Sequence, residues 1–215
     1  MIDSAPSHRT DSTRRLPLVA ISATYGAGGA VVGRRVADSL KVSFLGHTFT
    51  SEQMEAEYRI RENPSSAYLK QRVRGDLALD DDIARAAVVE LGSRALFQRS
   101  DEEVRALLDT GGVVVGRAGV YVLRDAPGVL RVLLDGPRHK RVALGSALEG
   151  VDLATAERRQ AAHDSSRVNI AQGQYGADPN ELRQYAMVLD TTVIDLDTAA
   201  DLIVTAARAL HAAGE

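Results

Sequence analysis

The segment Tyr25-Gly26-Ala27-Gly28-Gly29 has the residue types of a phosphate-binding loop. It lies between an apolar run, Leu18 to Ile21, and a helix-like stretch that begins at Ala30. Glycine lets a backbone approach an anion closely, and the first N–H groups of a helix point toward that anion. The order strand, glycine loop and helix therefore predicts a phosphate cradle. Its residues are Thr24, Tyr25, Gly26, Ala27, Gly28, Gly29 and Ala30.

This loop departs from the usual phosphate-loop pattern at its last two positions. The usual pattern continues with Lys, which reaches the phosphates, and with Ser or Thr, which binds Mg²⁺; here these positions hold Gly29 and Ala30. Two other interpretations remain open, a dinucleotide-binding turn and a close helix–strand contact that binds nothing. The dinucleotide turn is disfavoured because no acidic residue ends the second apolar run, Val42 to Leu45.

Arg117 is a second candidate for phosphate chemistry. It follows the apolar run Val113 to Val115 and one glycine, so its guanidinium should project from the edge of a sheet. Arginine suits bidentate recognition of phosphate. A surface arginine that caps the end of a strand is the alternative interpretation.

A third cluster contains Arg158, Arg159, Asp164 and Arg167, and a Gly-rich segment that looks mobile, Asn169 to Pro179, follows it. Several arginines in such a place are typical of a lid that folds over phosphates and stabilises a transferring phosphoryl group. The alternative is a solvated helix face with one ion pair at i,i+3 spacing. The histidines have no metal-ligand spacing, so the sequence predicts no protein-held metal site.

The elements that position these residues alternate between strand and helix. Predicted strands are Leu18–Ala23, Val42–Leu45, Val113–Val115, Val129–Leu134 and Ala186–Leu189. Predicted helices are Ala30–Leu40, Ile83–Phe97, Glu102–Leu108, Ala118–Arg124, Arg138–Leu148, Leu153–Ala162 and Leu196–Ala213. This alternation predicts an α/β fold of three layers, α/β/α, with a mostly parallel sheet. Ligands of such sheets bind beyond the carboxyl ends of the strands, where the glycine loop and Arg117 should both lie.

Composition narrows the class of protein further. A chain of 215 residues fits one domain with a lid, and its net charge of −3 disfavours a general nucleic-acid binder. The absence of cysteine excludes disulfides, and no apolar run approaches the length of a membrane span. We expect a cytoplasmic protein with a disordered tail over residues 1–16 and one domain over residues 17–215, whose lid spans about residues 158–180.

Three passages together resemble the cytidylate kinase-like family, a branch of the nucleoside monophosphate kinases. The first runs from Ile21 to Gly33, and the second runs from Val113 through Gly116-Arg117 to Arg124. The third comprises Arg158-Arg159, Asp164-Ser165-Ser166-Arg167 and, later, Val188 to Thr192. The likeness extends from about Leu18 to about Ala207.

The resemblance implies a P-loop NTPase fold that uses ATP and Mg²⁺ to phosphorylate a nucleoside monophosphate such as CMP or dCMP, or a related small acceptor. It implies that residues 24–30 bind the donor phosphates, and that Arg117 and Asp164 bind the acceptor. Arg117, Arg159 and Arg167 would supply the catalytic charge. Because Gly29 replaces the lysine, the alternative is a catalytically degenerate, nucleotide-binding regulatory module.

Overall fold

Five strands form one sheet in the computed structural model, which describes residues 16–55 and 97–213. They are β1 (Leu18–Ala23), β2 (Phe44–Leu45), β3 (Gly112–Val115), β4 (Val129–Asp135) and β5 (Met187–Asp190). Their order across the sheet is β2-β3-β1-β4-β5, and each neighbouring pair is parallel. The predicted parallel α/β architecture is confirmed.

Helices connect these strands and cover the sheet. They are α1 (Gly29–Leu40), α2 (Gly119–Val122), α3 (Arg138–Glu149), α4 (Leu153–Tyr175) and α5 (Leu196–Ala213), with a 3₁₀ turn at Leu182–Gln184. Residues 51–55 and 97–110 are also helical. None of the helices in the described part of the chain is long and apolar enough to cross a membrane. The predicted tail and nearly all of the predicted helix Ile83–Phe97 lie outside the described residues.

The central strand β1 is buried on both faces. Val19 and Ile21 point into one core, which α1 and α5 complete, whereas Leu18 and Ala20 point into the other. Residues 97–110, α2 and the end of α4 complete this second core. Burial of alternate residues on opposite faces explains why the strand is a continuous apolar run rather than an alternating one.

The carboxyl end of β1 is the point at which the chain switches direction across the sheet. After β1 the chain places β2 and β3 on one side, and it then crosses to β4 and β5 on the other. Connections that leave in opposite directions open a crevice beyond the strand ends. The glycine loop follows β1 directly, so the fold places it in this crevice.

Helix α4 corrects one expectation from the sequence. Residues 169–175 are helical rather than part of a mobile segment, and α4 is one helix from Leu153 to Tyr175. Ala171 is fully buried and the Tyr175 ring stacks on Tyr121 at 5.7 Å, so packing outweighs the weak helix preference of this Gly- and Asn-containing stretch. Gly176, at φ 58°, ends the helix in the left-handed conformation.

The contact between the glycine loop and α3 generates a prediction about stability. Gly26 and Gly128 have similar backbones, at φ 76° and 74°, but a Cβ at Gly26 would overlap the Arg141 carbonyl oxygen, whereas one at Gly128 would meet no atom within 4 Å. We expect Gly128→Ala to lower the free energy of unfolding by about 1 kcal/mol, the cost of a left-handed alanine. Gly26→Ala should cost about 3 kcal/mol or more, because α3 must also shift. Equal losses in urea denaturation would contradict this packing.

Candidate functional site

The glycine loop presents free backbone donors at the start of α1. Gly26 and Gly28 are left-handed, and the N–H groups of Gly26, Gly28, Gly29 and Ala30 have no hydrogen-bond acceptor among the described residues. The loop itself is held in place, because the Thr191 hydroxyl donates to the Ala27 carbonyl oxygen at 3.0 Å. Free amides on a fixed loop at a helix N-terminus form an anion-binding arrangement.

An ion pair between α3 and α4 holds the first peptide of this loop. The Arg141 guanidinium donates to the Tyr25 carbonyl oxygen at 2.8 Å, and the Tyr25 amide donates to the Asp164 carboxylate at 2.9 Å. Arg141 and Asp164 bond to each other at 3.1 Å, which closes a ring around Tyr25. The position of the loop therefore depends on two side chains from two different helices.

The Asp164 carboxylate is stabilised in its charged form. Burial alone would raise its pKa, but the contact with His163, hydrogen bonds from the Tyr25 amide and Gln160, and the charge of Arg141 hold the pKa well below its ordinary value. Asp164 is therefore ionised at neutral pH and committed to partners within the chain. The sequence assigned Asp164 to acceptor binding, which stays a prediction; the structure places Asp164 against the glycine loop.

Thr24 and Asp135 form a hydroxyl–carboxylate pair at the ends of β1 and β4. The Thr24 hydroxyl donates to the Asp135 carboxylate at 2.7 Å, and Arg141 lies 3.2 Å from the same carboxylate. Within the described ranges, no group of three acidic or histidine side chains could hold a metal ion.

The predicted catalytic residue Arg159 is neutralised by carboxylates. It bonds to Glu149 at 2.7 Å and to Glu55 at 3.4 Å, and its neighbour Arg158 also bonds to Glu55 at 3.0 Å. Glu149 in addition accepts from the Tyr25 hydroxyl at 3.0 Å. These contacts tie α4 to residues 51–55 and to the end of α3, so the charge of Arg159 is already compensated.

Arg167 is bonded differently from Arg117 and Arg159. Its guanidinium lies 3.5 Å from the Ser22 hydroxyl on β1 and 3.4 Å from the Pro179 carbonyl and Asn180 amide oxygens. No carboxylate bonds it among the described residues, and its buried Nε has no partner there. Within the part of the chain that the structure describes, the charge of Arg167 therefore has no carboxylate partner beside the strand that leads into the glycine loop.

Arg117 is held by the backbone of one segment and a carboxylate of another. It donates through Nε to the Gly46 carbonyl oxygen at 2.5 Å and through Nη1 to Glu103 at 2.6 Å. Its backbone and that of Ala118 are left-handed, at φ 51° and 53°. Two consecutive non-glycine residues in this conformation store strain, which is typical of functional sites.

A row of aromatic rings joins the surroundings of Arg117 to the glycine loop. The His163 ring lies 6.2 Å from the Tyr25 ring and 5.9 Å from the His47 ring, measured between centroids. A Cβ on Gly116, the residue before Arg117, would overlap the His47 ring. Burial, together with the smaller effects of the charges of His163 and Arg117, lowers the pKa of His47 to about 4. His47 is therefore neutral at physiological pH.

Sequence reasoning missed four residues of this site: Arg141, Asp135, His47 and His163. Asp135 ends a predicted strand at the correct edge of the sheet, which is a usable signal. Arg141 lies one turn of helix from Gly145, and the small residue lets α3 approach Tyr25. The two histidines are far apart in sequence and are joined only by tertiary packing, so spacing carries no signal for them.

The fold and the loop are those of a kinase-like P-loop protein. This chain belongs to the cytidylate kinase-like family, whose family model matches residues 18–193. The resemblance seen in the sequence is thereby confirmed.

One solved structure agrees with this chain in fold, and two weaker likenesses accompany it. An uncharacterised protein from Eubacterium ventriosum ATCC 27560 superposes with a TM-score of 0.62 at 17% identity, covering 89% of this chain and 98% of that chain. A gluconokinase from Sinorhizobium meliloti 1021 gives a TM-score of only 0.45 at 15% identity, covering 94% and 99% of the two chains. A uronate isomerase from Corynebacterium glutamicum strain ATCC 13032 is 30% identical over 125 residues, which are 58% of this chain and 24% of that protein. This chain thus matches about a quarter of the curated relative.

The buried neutral His47 generates a prediction about pH. Its pKa falls from 6.5 in the unfolded chain to about 4 in the folded protein, so the unfolded state binds the extra proton between these values. The free energy of unfolding should therefore decrease as pH falls from about 6.5 to 4, by up to about 3 kcal/mol. His47→Gln should remove this slope in urea denaturation at several pH values. The Asp164 contribution is lost only at lower pH, because its folded pKa is depressed. An identical slope in both proteins would contradict the prediction.

Proposed function

We propose that this protein transfers the γ-phosphoryl group of ATP to a nucleoside monophosphate of the CMP or dCMP type, or to a related small acceptor. One observation carries the proposal: the N–H groups of residues 26 and 28–30 have no acceptor within residues 16–55 and 97–213, and they lie on a fixed loop at the switch point of a parallel sheet. Membership of the cytidylate kinase-like family supports it. As a small-molecule kinase with no cysteine, the protein is expected to act in the cytoplasm.

The proposed donor site is the glycine loop. The free amides bind the donor phosphates, and the ring formed by Arg141, Asp164 and Tyr25 keeps those amides in position. Mg²⁺, when bound with ATP, supplies positive charge at the phosphates, and Thr24 and Asp135 are the residues that would hold it. A preorganised set of donors of this kind stabilises charge without reorganising during the reaction.

The proposed catalytic charge comes first from Arg167. The missing lysine leaves the transferring phosphoryl group without a cation from the loop, and Arg167 lies beside β1 with its charge uncompensated. Arg117 binds the phosphate of the acceptor. Arg159 joins these groups only if α4 moves away from Glu55 and Glu149, so its part is secondary.

A nucleotide-binding module without turnover is the second candidate. It is favoured by Gly29 and Ala30 in place of the lysine and the magnesium hydroxyl, and by the neutralisation of Arg117 and Arg159. Such a module would keep the anion-binding loop and lack the charge that phosphoryl transfer needs.

Two measurements on the wild-type protein separate the candidates. Incubation with ATP, Mg²⁺ and CMP, dCMP or UMP should produce ADP and the matching nucleoside diphosphate, and ATP should raise the melting temperature. A rise without turnover of these acceptors or of a metabolite panel would support the module. Neither turnover nor a rise with any nucleotide would overturn both candidates.

The role of Arg167 is tested by substitution. We expect Arg167→Ala to lower kcat by about 100-fold or more with little change in ATP affinity, because the lost charge acts mainly in the transition state. Arg167→Lys should recover part of the rate. Arg183→Ala is the matched control and should behave as wild type, because it removes an exposed arginine from the 3₁₀ turn at Leu182–Gln184. Equal, small effects at both positions would show that Arg167 has no catalytic part.

A further inference from the structure

Arg117 is not an open anion-binding group, because a carboxylate of the same chain already occupies it. Glu103 lies on helical residues 97–110, and its Oε2 is 2.6 Å from Arg117 Nη1. Arg117 retains only 15% of its side-chain exposure, whereas Glu103 retains 40%. The arginine is thus buried under a carboxylate that is itself half open to solvent.

The rest of Arg117 is fixed independently of Glu103. Its Nε is bound to the Gly46 carbonyl oxygen, and its strained left-handed backbone follows the buried strand β3 after one residue, Gly116. The neighbouring His47 is neutral and buried, so it offers Arg117 no negative charge. The guanidinium therefore keeps its place when Glu103 leaves, and the face turned to Glu103 becomes a donor site.

We propose that Glu103 is an internal competitor for the acceptor anion, so that a ligand reaches Arg117 only if it can displace this carboxylate, as a phosphate monoester can. This inference rests on the proposed acceptor role of Arg117. An incoming ligand must displace a carboxylate at hydrogen-bond distance. A phosphate monoester brings close to two negative charges and the geometry that a guanidinium binds best, whereas the hydroxyl of an uncharged nucleoside or sugar brings neither.

The position of the pair is consistent with displacement. Glu103 also lies 3.5 Å from Arg99, a side chain that is 80% exposed. Once released from Arg117, Glu103 has this second cation within reach, so it is not left as an unpaired buried charge. The exchange replaces the Arg117–Glu103 pair by an Arg117–phosphate pair and keeps the Arg99–Glu103 pair, with no buried charge left unpaired.

The test uses the full chain and direct binding of CMP and cytidine by calorimetry, without ATP. Glu103→Gln should bind CMP about three- to tenfold more tightly than wild type, since the partly exposed ion pair that opposes binding is removed. Cytidine, which lacks the phosphate, should bind equally to both proteins. The matched control is Glu102→Gln, an exposed glutamate on the same helix, which should bind CMP as wild type does. Arg117→Ala should lose CMP binding. Circular dichroism checks that each variant is folded, and Glu103→Ala replaces Glu103→Gln if the glutamine variant is not.

The outcomes separate this inference from the kinase proposal. Unchanged or weaker CMP binding by the Glu103 variants, with Arg117→Ala defective, overturns the inference alone. Expected binding without any turnover overturns the kinase proposal alone. Normal CMP binding by Arg117→Ala, or no CMP binding by wild type and the Glu103 variants, overturns both the acceptor role of Arg117 and the inference that depends on it.

Discussion

The ion pair between Arg141 and Asp164 is the interaction on which the site depends. It binds both backbone polar groups of Tyr25, so the loop backbone is fixed where it leaves β1. Removing Arg141 would leave the buried Asp164 carboxylate without this cation, which is far more costly than losing a surface pair, whereas removing Asp164 would leave Arg141 with Asp135 as its carboxylate partner. The same pair joins α3 to α4, and the position of the loop is therefore coupled to the packing of these two helices.

Charge compensation is the second theme of this site. Arg117, Arg141 and Arg159 each face at least one carboxylate, whereas Arg167 faces only neutral oxygens within the described residues. A site built to receive phosphates must balance its cations before the phosphates arrive, since an unpaired buried guanidinium is costly. An arginine that is paired with a carboxylate can exchange that carboxylate for a ligand phosphate. Arg167, which has no carboxylate partner within the described residues, is already positioned to act on the ligand.

The sequence predicted the sheet and the glycine loop better than it predicted the contacts between side chains that are distant in sequence. The apolar runs of β1 and β4 and the glycine loop are local patterns, so the parallel sheet and the place of the cradle followed from them. The partners of Arg117 and Asp164 did not, because Glu103 and Tyr25 are brought to them only by tertiary packing. Helix α4 was cut short for a similar reason: the burial of Ala171 is invisible in a Gly- and Asn-containing stretch. The predictions that failed are those that depend on contact between segments distant in sequence.

The unbroken course of α4 has a mechanical consequence. Its 23 residues extend over about 35 Å, and Asp164, which is bonded to Tyr25, anchors the helix near its middle. Arg159 lies in the half of the helix before this anchor, and Arg167 and Tyr175 lie in the half after it. A tilt of the helix about Asp164 that moves its first half away from Glu55 must displace its second half, beside β1, in the opposite direction. The displacements of the two halves of α4 are then one motion rather than two.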